Sequence, residues 1–306
     1  MKNTFVFFWI VAGGFLNARA TGSDAPIALV PQPLQMERKT GEFVLKNNTV
    51  ILVDLEAGPD GVVIVAEGGP GLFYGMQTLL QLLPPQVFSP IKVKQPVTWS
   101  VPAVRIEDQP RFQWRGLLLD VARHFFNKKE LMNFIALMAQ HKLNMLQLHL
   151  TDDQGWRVEI KRYPKLTQVV AWRKDIGFGL NPKDGTAYGP DGRYGGFYTQ
   201  DDICELVAYA KARYITLVPE IEMPSHSGAA RRAYPECGCK GGPHAFCAGN
   251  DETFTFLENV LRKVTWTDPK LKNWEYFKKR LDAHLKRLKV QKVNYRQPDK
   301  NPGKSK

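Results

Sequence analysis

The stretch whose reading decides the fold is NMLQLHLTDDQGW, residues 144–156. Leu146, Leu148 and Leu150 make a short apolar run that ends in two carboxylates, Asp152 and Asp153. Such a run, bounded by turn residues, reads as a buried strand over 144–154. Working outward, the same arrangement recurs. WRGLLLDVA (114–122) is a continuous apolar strand followed by Arg123 and His124. KKELMNFIALMAQHK (128–142) has the spacing of an amphipathic helix. TQDDICELVAYAKARY (199–214) is a second helix, with Thr199 as N-cap. ITLVPEIEMPSH (215–226) is a third strand and carries Glu220, Glu222 and His226 at its end. Apolar strands alternating with helices predict an α/β fold with a parallel sheet under helical cover. In a β/α barrel the chemistry sits at the C-terminal mouth of the strands. Polar groups at three successive strand ends therefore mark a candidate site. A loop over 173–198, rich in glycine and aromatic residues, is long enough to suggest a functional role.

Upstream, residues 25–110 read as a small α+β domain. EFVLKNNTVILVD alternates in strand fashion around a turn at Asn47–Asn48, and GVVIVAE is another strand. GLFYGMQTLLQLL is a helix stopped by Pro84–Pro85, and SVPAVRIEDQPRF is expected to be an extended linker. Residues 1–20 have the form of a secretory signal: Lys2, a short apolar stretch TFVFFWIVAGGFL, and small residues in ARA at 18–20. Cleavage after Ala20 and a secreted or periplasmic location are expected. No apolar run long enough to span a membrane follows.

The net charge of +12 is concentrated at one end. Residues 262–306 hold 15 Lys/Arg against 4 Asp/Glu, whereas the remainder holds 27 against 26. A basic tail at 291–306 reads as a solvated terminus, and no nucleic-acid partner is expected. Of the four cysteines, Cys204 falls in a helical pattern and reads as a buried thiol. CGCKGGPHAFC lacks paired Cys-x-x-Cys knuckles, which favours a loop disulfide of Cys239 or Cys237 with Cys247 over a zinc site.

At this point RGLLLDVARHFF, NMLQLHLTDDQGWRVEI and VPEIEMPSHSGAARRAYPE resemble the catalytic barrel of β-N-acetylhexosaminidases, glycoside hydrolase family 20. VPQPLQM and GLFYGMQTLLQLLPP resemble the small domain that precedes it. The resemblance implies exo-hydrolysis of terminal β-linked N-acetylglucosamine or N-acetylgalactosamine from glycans, with retention. The sugar's own 2-acetamido oxygen attacks the anomeric carbon, an Asp orients it, and the neighbouring Glu donates a proton. This departs from the usual two-carboxylate scheme. No metal or organic cofactor is implied. By the same resemblance Arg115, Asp152 and His226 bind substrate. His149, Asp153, Glu222 and Trp156 support them, with Glu222 standing where the family more often has Asp.

The catalytic Asp-Glu pair is expected on a fourth strand. The chain's one Asp-Glu dipeptide, Asp251–Glu252, opens GNDETFTFLENVL, and it reads as the cap of a helix whose core stripe is Phe254, Leu257 and Leu261. After Leu261 comes RKVTWTDPKLKNW, in which VTWT resembles the end of the family's last strand. Leu271, Trp274, Phe277, Leu281, Leu285 and Leu288 then lie on one helical face. The expectation is an incomplete TIM (β/α) barrel over 111–290, internally deleted and of little or no activity. The alternative is a non-catalytic glycan-binding protein. Three or four parallel strands leave open edges, which invite self-association.

Overall fold

A computed structural model describes residues 6–11, 27–46, 51–53, 61–174, 192–239 and 245–264. The cleavage point at Ala20, the Asn47–Asn48 turn, most of the loop 173–198, and both the helix and the basic tail beyond residue 264 lie outside them. The chain divides into two compact units. One comprises residues 1–117, 132–146 and 209–216, and the other 118–131, 147–208 and 217–306.

The first unit holds an antiparallel-dominated sheet. Its strands are β1 (Val6–Val11), β2 (Gln35–Val44), β3 (Ile51–Val53), β4 (Gly61–Ala66) and β5 (Ser100–Asp108), in the order β2-β5-β1-β4-β3. Helix α1 (Gly69–Leu82) packs on it. Val62, Ile64, Leu79, Val101, Val104 and Ile106 form the core between them. One sequence expectation is corrected here. SVPAVRIEDQPRF is no linker, because Val101, Ala103, Val104 and Ile106 are buried and its backbone pairs with β1 and β2. The apolar stretch read as an export signal also supplies β1, which pairs antiparallel with both β4 and β5.

The remaining strands are β6 (Gly116–Asp120), β7 (Met145–His149), β8 (Thr151–Asp152), β9 (Gly155–Trp156), β10 (Trp172–Arg173), β11 (Tyr194–Gly195) and β12 (Thr216–Glu220). The helices are α2 (Lys128–Gln140), α3 (Lys165–Gln168), α4 (Gln200–Lys211), α5 (Gly228–Ala233) and α6 (Asp251–Val264). β12, β7 and β6 form a three-stranded sheet in that order. Flanking bonds set its sense. Asn144 N–H donates to Arg115 C=O and Ala122 N–H to His149 C=O, so β6 and β7 run the same way. Thr216 N–H to Asn144 C=O and Leu150 N–H to Glu220 C=O make β12 parallel as well. Among the described residues there is no closed barrel.

Helices α2 and α4 begin as expected. Thr199 and Asp202 exchange bonds at the start of α4, each side chain accepting from the other's backbone N–H. Asn127 and Glu130 do the same for α2. Three burial expectations fail. β6 was expected to be buried, yet Leu117 is 44% and Leu118 54% exposed, because among the described residues it lies at the edge of its sheet. Cys204 is exposed on α4, not buried. The buried stripe of α6 is Thr253, Phe256, Val260 and Val264, and Phe254 is exposed. The Thr253 hydroxyl donates to Cys237 C=O at 2.8 Å, which turns that face inward. Phe256 there meets the rings of Tyr163, Tyr234, Phe246 and Trp156.

Candidate functional site

The site lies in the second unit, where β6, β7 and β12 end. Each strand delivers its last polar residues to the same place: β6 gives Asp120 and then Arg123, β7 gives His149 and then Asp152, and β12 gives Glu220 and then Glu222. Asp152 is the hub, fully buried at its carboxylate. Its Oδ2 lies 2.5 Å from Arg123 Nη2 and 2.9 Å from His149 Nε2. Its Oδ1 accepts Asp153 N–H at 2.6 Å and lies 3.3 Å from His226 Nδ1. Arg123 is held from the other side by Asp120, whose Oδ2 accepts from Nη1 at 2.6 Å.

His149 is the second node. Its Nδ1 faces two carboxylates, Glu220 Oε1 at 3.3 Å and Glu222 Oε1 at 3.8 Å. Gln147 donates to the other Glu220 oxygen at 2.7 Å, and Glu222 is placed by its own N–H donating to the Thr151 hydroxyl. Burial works against the imidazolium of His149, but the Asp152 bond and the charges of Asp120 and Glu220 outweigh it, so its pKa is raised. Arg123 is also raised, first through its bond to Asp120, and stays a cation. His226 adopts a left-handed backbone with φ +51°, a strained choice of the kind that gathers at functional sites.

Two of the expected residues do not join this cluster. Arg115 belongs to the first unit, at the start of β6. Its Nε donates to Lys142 C=O at 2.8 Å, its Nη1 to Phe112 C=O at 2.7 Å, and its guanidinium lies over the Tyr74 ring. A parallel strand carries its chemistry at the far end, so the guanidinium of the site is Arg123. Trp156 is 1% exposed, donates its indole N–H to Val158 C=O, and packs on Phe256. It is core, not a wall of a pocket. Asp153 acts as a brace: its Oδ1 accepts Gly228 N–H at 2.8 Å at the start of α5, and its carbonyl accepts from Arg232 near that helix's end. Asp152, His149, Glu222 and His226 do come together. The residues underused in the sequence reading are Arg123, Asp120 and Glu220. The signal was available, because all three follow an apolar strand directly.

The floor beneath the cluster is built on Arg157, which is wholly buried. It donates to the carbonyls of Val121, Ala122, Ala171 and Gly196. Burial brings its pKa down to about 10, so it remains charged at neutral pH. Gly155 is required above it, since a Cβ there would sit 2.5 Å from the guanidinium. Asp251–Glu252 stands apart from the cluster's bonds. Asn250 Oδ1 accepts Glu252 N–H at 2.9 Å, so this acidic pair opens α6 as a capped helix start. Cys239 pairs with Cys247, and Cys237 is left as a buried thiol whose pKa burial pushes up to about 11.

Comparison with known proteins fits this arrangement. The model of the glycosyl hydrolase family 20 catalytic domain matches residues 112–277, and that of the family's domain 2 matches residues 54–109. A β-hexosaminidase of Porphyromonas gingivalis is 43% identical over 221 residues, covering 69% of this chain and 26% of the relative. A β-N-acetylhexosaminidase of Cellulomonas fimi is 44% identical over 164 residues, covering 54% of this chain and 30% of the relative. The chain thus spans less than half the length of these curated relatives. Among solved structures, a Streptomyces plicatus N-acetyl-β-hexosaminidase in complex with Thio-NAglucal matches with TM-score 0.66 at 30% identity, over 79% of this chain and 57% of that one. An exo β-N-acetylglucosaminidase of Vibrio harveyi in complex with N-acetylglucosamine matches with TM-score 0.66 at 26% identity, over 83% and 48%.

Proposed function

The chain belongs to glycosyl hydrolase family 20, and on that premise we propose that it carries the sugar-holding half of a β-N-acetylhexosaminidase site and hydrolyses its glycoside weakly or not at all. The observation that carries this reading is the Arg123–Asp152–His149 cluster at the strand ends. Its ligand is a terminal N-acetylhexosamine. Arg123 offers a planar fork suited to two adjacent hydroxyls, with more donors than its bonds to Asp120 and Asp152 use. Asp152 and His226 supply an acceptor and a half-exposed imidazole beside it. The glycoside bond is another matter. The chain's one Asp-Glu dipeptide opens α6, where the Glu252 N–H donates to Asn250 Oδ1, away from the bonds of the cluster. A positioned acid contributes about 10²–10⁴-fold, and a poorly aligned acetamido group forfeits the larger benefits of proximity.

On this reading the barrel is incomplete. Among the described residues, the exposed Leu117 and Leu118 of β6 are then the edge that self-association would cover. Export through residues 1–20 is part of the same proposal. In the described chain residues 6–11 are β1, so cleavage after Ala20 would remove the strand between β4 and β5.

A second reading, a non-catalytic glycan-binding protein, is favoured by one observation. The Asp152 hub is fully bonded without any contribution from a catalytic pair. Titration of the full chain with N-acetylglucosamine, followed by NMR, tests the shared premise. Saturable binding with a Kd of about 1 mM or tighter is expected, weakened at least tenfold (about 1.4 kcal/mol) by Arg123→Gln and little changed by Arg115→Lys. No saturation, or dependence on Arg115 alone, contradicts it.

A further inference from the structure

We propose that His149, Glu220 and Glu222 form a binding site for a divalent cation of the zinc type. Nothing in the resemblance to the glycosidase family implies a metal, and the sequence reading expected none. The proposal stands on the geometry around one imidazole nitrogen.

His149 is buried, and its two ring nitrogens do different work. Nε2 lies 2.9 Å from Asp152 Oδ2, within ordinary hydrogen-bond range. With Asp152 ionised, that bond keeps the proton on Nε2. Loss of the second proton leaves the lone pair of Nδ1 facing the opposite side, so an ion bound there displaces that proton. On that side stand Glu220 Oε1 at 3.3 Å and Glu222 Oε1 at 3.8 Å. One donor atom from each of the three residues lies within 4.8 Å of the other two.

Those distances suit an ion better than a proton. A charge-assisted N–H···O bond is about 2.7–2.9 Å long, and one Nδ1–H can point along one line only. Two carboxylate oxygens at 3.3 and 3.8 Å are both long for it. Around a tetrahedral ion with bonds of about 2.0–2.2 Å, neighbouring ligand atoms stand about 3.3–3.6 Å apart. The two spacings from Nδ1 stand at and just above that edge, and a closing movement of Glu222, whose side chain is 25% exposed, is what the ion requires. An imidazole whose other nitrogen is held by a carboxylate is the usual support for a metal ligand, and Asp152 fills that role. Gln147 orients Glu220 in the same supporting way, from its second oxygen.

Charge points in the same direction. Among the described residues, four carboxylates (Asp120, Asp152, Glu220 and Glu222) meet one arginine, Arg123, and two imidazoles, His149 and His226. Even with both imidazoles protonated one negative charge is left over, and with both neutral three are. A divalent ion reduces that surplus in partly buried surroundings where it is costly. Imidazole with carboxylates suits zinc and its first-row neighbours. Three protein ligands leave a fourth corner for water.

The test uses the full, metal-stripped chain and needs no glycoside, so it succeeds or fails independently of the hydrolase reading. Co²⁺ is added and its visible absorption followed, with Zn²⁺ competing. One equivalent per chain with the intense bands of a four-coordinate ion, bleached by Zn²⁺, is expected. Glu222→Gln, at a partly exposed position that does not threaten folding, weakens binding at least tenfold, and so does His149→Gln. Asp153→Asn leaves it unchanged, which separates this site from the neighbouring Asp152–Asp153–His226 group. Absence of saturable uptake overturns the proposal. So does uptake that survives both Glu222→Gln and His149→Gln.

Discussion

Arg157 shows how one residue can set the geometry of a site it does not enter. Four backbone carbonyls, from Val121, Ala122, Ala171 and Gly196, converge on a guanidinium that meets no carboxylate among the described residues. Two of them belong to the turn that carries Arg123 out of β6. Replacing Arg157 with Met takes a donor from each of those carbonyls, of which Ala171 keeps the Gly196 N–H, in a dry interior where an unsatisfied group costs about 1–3 kcal/mol. Urea unfolding of Arg157→Met is therefore expected to show a loss of about 3–5 kcal/mol. A loss below about 1 kcal/mol would mean that water reaches the carbonyls as readily as the guanidinium does. Nothing in the sequence singled out Arg157, because a lone arginine after a tryptophan has no local signature. Its partners lie 14 to 39 residues away. Asp152 was legible for the opposite reason: an acid directly after an apolar strand has few other places to go. Arg115 and Arg123 bracket the same strand. Choosing between them needed the direction in which the parallel strands run, which the residues alone do not display.

At the scale of elements, helix starts were the most legible features, because their chemistry is local. Thr199 and Asp202 cap α4 within four residues, and Lys128 adds an ion pair to the same carboxylate. Burial alone would raise the pKa of Asp202, but the bonds from Lys128 and Thr199 outweigh it and lower it. A carboxyl lowered on folding stabilises the fold above its unfolded value of about 3.9, and that contribution is lost as pH falls through the folded pKa. Hydrogen-exchange protection at residues 200–203 should accordingly decline below about pH 4. In Asp202→Asn that decline should vanish, with the helix start weaker by about 1 kcal/mol at neutral pH. An unchanged acid response in Asp202→Asn would assign it to another group. Burial was less legible than capping. The pattern of α6 allowed two adjacent faces, and the one with Phe256 won because Thr253 is tied to Cys237 and four aromatic rings stand opposite. The apolar run of β6 resembles that of a central strand, yet it lies on an edge, since a strand's neighbours are supplied by distant parts of the chain.

For the molecule as a whole, alternating strands and helices were enough to place a parallel sheet and to put the polar cluster at its C-terminal end. They did not foresee that SVPAVRIEDQPRF would pair inside the first unit's sheet, because an extended linker and a strand share the same alternation. The central claim is that this chain holds a sugar without an acid to cleave it. An aryl N-acetyl-β-glucosaminide assay on the purified chain, run beside Asp152→Asn, tests it most directly. Release of the aryl group indistinguishable from the variant, below about 10⁻² of the 1–10³ s⁻¹ of ordinary enzymes, is the predicted result. Turnover within that ordinary range, abolished by Asp152→Asn, would contradict it.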